Sequence, residues 1–374
     1  MVPYLRAANV KDGELDLSDV KSMNFTPNEQ ELFHLHPGDV LITEGSGSLR
    51  TVGASAVWSG EIDDIVCFQN TLLRLRPRSE ATDVEFLAWW ARHAFAAGIF
   101  ASVATGVNIH HVSTERVRSL PVSFPDMPTQ RAIASFLDME TRRIDELISK
   151  KRRLVALLEE RVDNLVRQRI ADSGLVASTP CTSSRPIKRL LRKMNRPAIP
   201  GGSKVTAFRD GQVTARALRR AEGYTESWSK DLHVQGVQKG DVVIHGLDGF
   251  AGAIGVSEAD GVCSPVYHVC TPNGRADAAY LARMLRILAV SGYLSLFASS
   301  TRERAVDFRN WDLFGRIPIP DVNMLEQREI AHSIRRIQPL KTAVEQSAEL
   351  AIERRQALIT AAVTGQLDIP GAAA

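Results

Sequence analysis

Cysteine is scarce in this chain. Only Cys67, Cys181, Cys263 and Cys270 occur in 374 residues, with no CxxC pair and no Cys/His ligand spacing. That pattern argues against a zinc site or a disulfide framework and predicts a reducing, cytoplasmic setting. The opening Met1-Val2-Pro3-Tyr4-Leu5-Arg6 lacks a basic segment followed by an apolar run, so no signal peptide is read there. Long uncharged apolar runs are missing as well. The two most apolar windows, 86–104 and 280–300, carry Arg92-His93 and Arg283/Arg286. They predict buried helices and not membrane spans.

Signatures of chemistry are also lacking. There is no GxxxxGK[ST] phosphate loop and no GxGxxG on a strand-to-helix turn. Gly45-Ser46-Gly47 has the composition of a phosphate cradle, but no lysine follows at the required spacing, so it reads as a turn. No Asn/Asp-Pro-Pro-aromatic tetrapeptide of an amino-methyltransferase occurs, nor a nuclease-like pair of carboxylates with lysine. His110-His111 adjoins no HExxH or cysteine pattern. Neighbours on an extended strand face opposite ways, which favours loop contacts over a shared metal. Cys263 and Cys270 read as small buried hydrophobes. No metal, cofactor or catalytic residue is expected.

What is present suits a multidomain globular protein. The length accommodates two to four domains, and 44% hydrophobic with 24% charged residues is ordinary for one. The net charge of +3 hides an asymmetry: residues 1–126 carry 10 Lys+Arg against 16 Asp+Glu, whereas 185–320 carry 20 against 12. A basic segment of that kind points to a polyanionic partner.

Residues 1–126 read as a mixed α/β domain. Gly38-Asp39 turns into an apolar strand, 72–76 alternates, and Asp83 caps a helix from Val84. From Thr129 to Ser173 there is neither Gly nor Pro. Leu137, Ile144, Leu158 and Leu165 recur at sevens or their multiples, with Ile148, Val155 and Val162 as the companion row. This predicts a long spacer helix over 127–171 with a heptad seam, capped by Thr129, interrupted by the charge of Lys151, and broken near 138–140. A Ser/Thr/Pro-rich linker at 172–186 marks a domain boundary.

The second half repeats the first. Asp12-Gly13 recurs as Asp210-Gly211, Gly38-Asp39-Val40 as Gly240-Asp241-Val242, and Asp83 with Phe86-Leu87 as Asp277 with Tyr280-Leu281. Gln130-Arg131-Ala132-Ile133-Ala134 recurs as Gln327-Arg328-Glu329-Ile330-Ala331. A colinear set of this kind predicts a duplication, with a second domain over 187–321 and a second long helix over 322–364. That helix aligns Ile330, Ile334, Ile337, Val344, Ala351 and Leu358, with Lys341 and Arg355 in the apolar register; Pro339 should kink or split it. The tail 365–374 is expected to fray. The first copy has fewer residues before its Asp-Gly than the second, so its opening element is expected to be missing through truncation or an upstream start, or supplied from elsewhere in the chain.

Basic and amide side chains in the loops are the candidate DNA contacts, since Arg and Lys hold phosphates and Arg, Asn and Gln read base edges. In the first copy these are Arg6, Asn9, Lys11, Arg50, Asn70 and Asn108. In the second they are Lys204, Arg209, Arg216, Arg219, Arg220, His245, Arg302, Arg304, Arg309 and Asn310. Candidate residues for helix pairing or partner docking are Gln130, Arg131, Ile133, Leu137, Ile144, Ile148, Val155, Leu158, Val162, Leu165, Gln327, Arg328, Ile330, Ile334, Ile337, Val344 and Leu358.

The order of domain, long helix, domain, long helix resembles the specificity subunit of type I restriction–modification systems over essentially the whole chain. The resemblance rests on Leu120-Pro121-Val122-Ser123-Phe124-Pro125 leading to the first Gln-Arg helix, and on Ile317-Pro318-Ile319-Pro320 leading to Glu326-Gln327-Arg328. Tyr4-Leu5-Arg6-Ala7-Ala8-Asn9-Val10 also resembles its target-recognition domains. The first phrase departs from the family in having Met127-Pro128-Thr129 where an acidic residue is more usual. The resemblance implies an α+β protein with two tandem mixed α/β target-recognition domains and two long helices paired as an antiparallel coiled coil. It implies a non-catalytic reader of a bipartite double-stranded DNA site. The implied partners are two methyltransferase subunits, which hold S-adenosylmethionine, and a separate motor-nuclease subunit. The alternative is a truncated relative that binds the methyltransferase without normal DNA recognition.

Overall fold

The computed structural model describes residues 1–78, 80–174, 183–198, 201–219, 235–297 and 307–372. It divides into two compact units, Met1–Lys151 with Gln346–Ala374, and Arg152–Glu345. The division cuts both long helices, so each unit contains one mixed α/β domain and a segment of each helix.

Unit 1 carries strands β1 (Val2–Leu5), β2 (Lys21–Met23), β3 (Asp39–Thr43), β4 (Ser55–Trp58), β5 (Cys67–Phe68) and β6 (Leu72–Leu75), followed by helix α1 (Val84–Ala96). One sheet has the order β2-β1-β5, with β1 antiparallel to β2 and parallel to β5. The other, β4-β3-β6, is antiparallel throughout. All of β3 is buried, which is why it reads as a continuous apolar run. On one side Val40 and Ile42 meet Phe86, Trp90 and Ala94 of α1; on the other Leu41 packs with Leu5 and Trp58.

The first long helix, α2 (Met127–Asp172), is continuous for 46 residues, so the expected break at 138–140 does not occur. Nor is Thr129 its cap. The Asp126 carboxylate accepts the Thr129 N–H at 2.9 Å, because the helix starts two residues earlier.

Unit 2 carries β7 (Leu191–Lys193), β8 (Val242–His245), β9 (Ile254–Val256), β10 (Tyr267–Pro272) and helix α3 (Ala278–Val290). Its sheet has the order β7-β10-β8-β9 and is antiparallel. Strands β9, β8 and β10 match β4, β3 and β6. Strand β7 comes from the extra residues that open the second copy, and among the described residues the β4-β3-β6 sheet has no counterpart to it. The turn into the central strand is repeated atom by atom. Gly38 and Gly240 adopt φ of 93° and 94°, and the carboxylates of Asp39 and Asp241 accept the N–H of His36 and Gln238, each at 2.8 Å. Each carboxylate also holds an arginine, Arg76 in unit 1 and Arg196 in unit 2.

The second long helix, α4 (Met324–Val363), runs unbroken through Pro339, contrary to the expected split. Pro339 and Arg335, whose carbonyl loses its amide partner, both face solvent, so water can satisfy the freed acceptor. In each unit α2 and α4 are antiparallel: Asp145 faces Arg355 and Lys151 faces Ser347 in unit 1, whereas Glu159 faces Lys341 and Arg169 faces Glu326 in unit 2. The three charges in the apolar register are thus accounted for. Lys151 donates to the Ser347 carbonyl at 3.0 Å and to its hydroxyl, Lys341 pairs with Glu159 at 2.9 Å, and Arg355 lies 3.4 Å from Asp145.

The seam itself needs one correction. Ile133, Leu137, Ile148 and Val162 are buried, but Leu165 is exposed, and Val166 and Ile170 take its place. A straight α-helix drifts off a strict seven-residue repeat, so the buried face moves by one position. On α4, Ile330 is buried while Ile334, Ile337, Val344 and Leu358 are half-buried; Ala331, Ala348, Ala351 and Ala362 form the close contacts. The tail is a further correction. Ile369 is buried, and Leu367 and Ala372 pack beside it against the unit 1 core of Ile133, Leu120 and Val122. Apolar side chains on a tail this short find a ready groove, and burying them outweighs fraying. Of the linker, 175–182 lie outside the described residues. Among the described residues no helix is long and apolar enough to cross a membrane.

Candidate nucleic-acid interface

The domain helices are fixed to the long helices by one device used twice. The Gln130 side chain accepts the Asp83 N–H at 2.8 Å and donates to the carbonyls of Ala81 at 3.0 Å and Pro125 at 2.8 Å. Gln327 accepts the Asp277 N–H at 3.0 Å and donates to the carbonyls of Arg275 at 3.3 Å and Val322 at 2.7 Å. Both amides are buried, at 1% and 3% exposure. Gln130 and Gln327, expected among the helix-pairing or docking residues, each pin a domain helix within their own unit. Arg131 and Arg328 are exposed, Arg131 standing 3.7 Å from Asp83.

In unit 2 the basic candidates converge on one set of loops. The hairpin of Val205–Ala207 and Val213–Ala215 carries Arg209 in its turn, and Arg219 follows it after the short turn Arg216–Leu218. Arg209 bonds Asp248 at 2.9 Å, and Arg219 bonds Asp210 at 2.8 Å and lies over the Phe208 ring at 4.4 Å. Arg216 bonds the Thr206 hydroxyl at 3.0 Å, and its N–H is bonded to the Lys204 carbonyl at 2.7 Å. Arg309 packs over Gly246 and chelates Asp307, which holds that carboxyl below its usual range. Charged heads presented by partly exposed ion pairs can exchange their carboxylates for phosphates at low cost. Arg220, Arg302 and Arg304 lie outside the described residues.

Two unit 2 candidates have other roles. The His245 Nδ1 accepts the N–H groups of Leu247 and Asp248 at 3.1 and 3.0 Å, and burial pushes its pKa down. It is a neutral organiser of the turn, unsuited to gripping phosphate. Asn310 caps the short helix Trp311–Phe314, accepting from Asp312 and Leu313.

In unit 1 the candidates form two neighbouring groups. Arg6 and Asn70 flank the β1 end, where the Gln69 N–H bonds the Leu5 carbonyl at 2.8 Å. Arg50 and Asn108 flank the paired strands Gly45–Ser46 and His110–His111. A bond from the Glu44 N–H to the Thr71 carbonyl, 2.9 Å, joins the groups. Lys11 stands apart on the hairpin with Glu14–Leu15. Asn9 must be corrected: it is buried, its amide donates to the carbonyls of Asp16 and Asp19, and its oxygen accepts the Arg6 N–H at 3.1 Å. No part of it is free to read a base. Arg6 is bonded to Asp19 at 2.5 Å. Lys239, an exposed lysine at the unit 2 turn, stands outside the candidates drawn from the sequence.

Residues 1–155 match the family model described as the type I restriction modification DNA specificity domain. The first part of the chain is thus similar to the type I restriction–modification specificity family. The second half of the chain, outside that match, repeats the turn, helix cap and glutamine pin of the first. No curated protein matches it. Among solved structures it is similar to one described as the structural basis of complex assembly and conformational transition of the type I R-M system, at 18% identity and a TM-score of 0.60, over 98% of this chain and 92% of that one. At that identity the likeness shows the fold. It also resembles the HsdS subunit from Thermoanaerobacter tengcongensis (16% identity, TM-score 0.47, 98% and 91% covered). A third similarity is to the type I restriction–modification S subunit from M. genitalium (14%, 0.45, 96% and 88%). Among the described residues, no group of three or more His, Cys, Asp and Glu could hold a metal ion.

Proposed function

We propose that this chain is the non-catalytic DNA-reading subunit of a type I restriction–modification complex. Each unit reads one half of a split double-stranded site, and the long helices dock two methyltransferase subunits, whose S-adenosylmethionine supplies the methyl group. A motor-nuclease subunit completes the assembly. The observation that carries this reading is the repeated pin, Gln130 on Asp83 and Gln327 on Asp277, which attaches a reader of the same design to each long helix. Two readers on one chain raise the effective concentration of the second contact once the first is made. Docking is supported by Leu147, Leu154 and Leu157, exposed apolar side chains on α2 outside the seam; Leu157 is 50% exposed. Apolar rows of that kind on a helix surface mark partner contacts.

The test is a footprint of the complex reconstituted with its methyltransferase. Two protected segments separated by a fixed gap are expected; a single compact segment sinks the bipartite reading. Loss of DNA reading by unit 1 alone is a second reading, favoured by the capture of Arg6 by Asp19 and by the acidic balance of residues 1–126. It predicts protection over one half-site with normal methyltransferase binding.

A further inference from the structure

The duplication provides an internal comparison at one cavity. In unit 1, Arg92 of α1 runs along Gly13; its guanidinium stands 3.6 Å from Asp12 and 4.4 Å over the Trp89 ring. In unit 2 the matching Arg286 of α3 runs along Gly211. Its matching carboxylate, Asp210, is bonded to Arg219 instead, at 2.8 Å. The aromatic is gone too, since Arg283 stands at the position of Trp89 and is held by Glu159 and Asp163. Arg286 retains one long contact, from Nη2 to the Arg209 carbonyl at 3.5 Å, and its buried Nε has no hydrogen-bond partner among the described residues. Burial, and then the charge of Arg283, press its pKa down; burial does the same to Arg92, whose Nε also lacks a hydrogen-bond partner, so the difference between the two lies in the carboxylate and the aromatic.

Arg286 lines a cavity of about 450 Å³ lying wholly within unit 2. Its walls are partly apolar, with Val256, Ala279, Ala282 and Ile334. Each carboxylate on its lining already has donors: Glu159 has Arg283 and Lys341, Asp210 has Arg219, and Glu258 has Gln212 and Gln338. Arg335 is committed to Asp277. Of the cations on the lining, Arg286 and Lys239 have no carboxylate partner among the described residues. The equivalent cavity of unit 1, about 410 Å³, is walled by Glu14, Glu61, Glu85 and Asp138 and has the opposite character.

We propose that the unit 2 cavity binds a small organic anion, with a carboxylate or phosphate head on Arg286 and Lys239 and an apolar body over Ala279 and Ala282. An apolar wall with a few convergent polar groups, in a space of this size, is the usual form of a small-molecule site. This site lies beyond the DNA-reading function and does not depend on it.

Calorimetric titration of the full chain with phenyl phosphate, benzoate and inorganic phosphate tests the proposal. Saturable binding of phenyl phosphate or benzoate is expected, and the stronger of the two identifies the head. Inorganic phosphate should bind more weakly, for want of the body. Arg286→Gln should weaken binding at least about tenfold, the effect of one charge-assisted hydrogen bond. Ala279→Leu, which fills the wall and leaves every charge in place, should do the same, and Arg92→Gln in unit 1 should not. Thermal melts identify any variant that fails to fold. Absence of saturable binding by all three probes overturns the proposal. So does undiminished binding in folded Ala279→Leu, or equal weakening by Arg92→Gln.

Discussion

The amide of Gln130 accepts the backbone N–H of Asp83 at 2.8 Å, the residue that caps α1 through its own carboxylate. One buried side chain of a long helix thereby fixes where a domain helix begins. Gln327 does the same for Asp277.

Removing either pin should therefore loosen its own unit. Gln130→Ala leaves one amide N–H and two carbonyls without their partner, and about 2–4 kcal/mol of stability should be lost. Gln327→Ala should cost a similar amount. Urea unfolding followed by hydrogen exchange should place the first loss in unit 1 and the second in unit 2; a change below about 0.5 kcal/mol in both would discount the pins.

Within unit 2, Glu159 is gripped by Arg283 and Lys341. Burial works to raise its pKa, but the two cations outweigh it and the net displacement is downward from the ordinary 4.5. A depressed folded pKa contributes stability that is complete above the unfolded value and disappears as pH falls through the lower folded value. Thermal melts should thus show unit 2 losing stability below about pH 4.5, and Glu159→Gln should flatten that dependence. An unchanged acid limb in the variant would remove Glu159 from the account.

Arg283 holds both Glu159 and Asp163 from α3. Arg283→Ala leaves two partly buried carboxylates with one cation fewer, so a loss of about 3–5 kcal/mol is expected, the usual effect of breaking a buried pair. Arg283→Met, which restores volume without charge, should not recover it while both carboxylates remain. Chemical denaturation of the two variants distinguishes these outcomes.

On DNA, Arg209→Ala and Arg219→Ala should weaken binding by the complex similarly for all sequences. Each should reduce the slope of log K against log salt by about 1, as expected for a lost phosphate contact. Altered base preference with an unchanged slope would show base reading instead.

A helix-breaking change, Leu158→Pro, should cost about 3 kcal/mol or more in α2 and abolish assembly with the methyltransferase. Size-exclusion chromatography of the mixed subunits checks this; an unchanged complex size would argue against docking through the helix pair.

Much of this architecture could be read from residue pattern because it rests on backbone chemistry. The Asp-Gly and Gly-Asp turns announce positive φ, realised at Gly13, Gly38, Gly211 and Gly240. Asp83 and Asp277 announce helix starts, and 46 residues of α2 follow from an absence of breakers. The weak seam of α4 was harder to see because alanines form its contacts, and alanine gives little contrast in a hydrophobic pattern. Leu165 misled because a strict seven-residue count does not follow an α-helix for long.

The candidate interface was less legible. Asn9 has the right chemistry for DNA, yet its hydrogen bonds are spent on its own loop, and Nδ1 of His245 and Oδ1 of Asn310 are likewise taken by nearby backbone N–H groups. The competing partner is a backbone group whose position depends on the fold. The sequence alone determined the repeated motifs, the two long helices and the resemblance to a family, since these rest on local backbone preference and recurring phrases. Tertiary structure alone decided that Lys151, Lys341 and Arg355 belong in an apolar seam, that Gln130 and Gln327 act as pins, that Ile369 is core, and that Arg286 lacks the carboxylate Arg92 has. Each depends on which group the opposing element brings within hydrogen-bond or van der Waals reach, and that distance is set only when the elements pack.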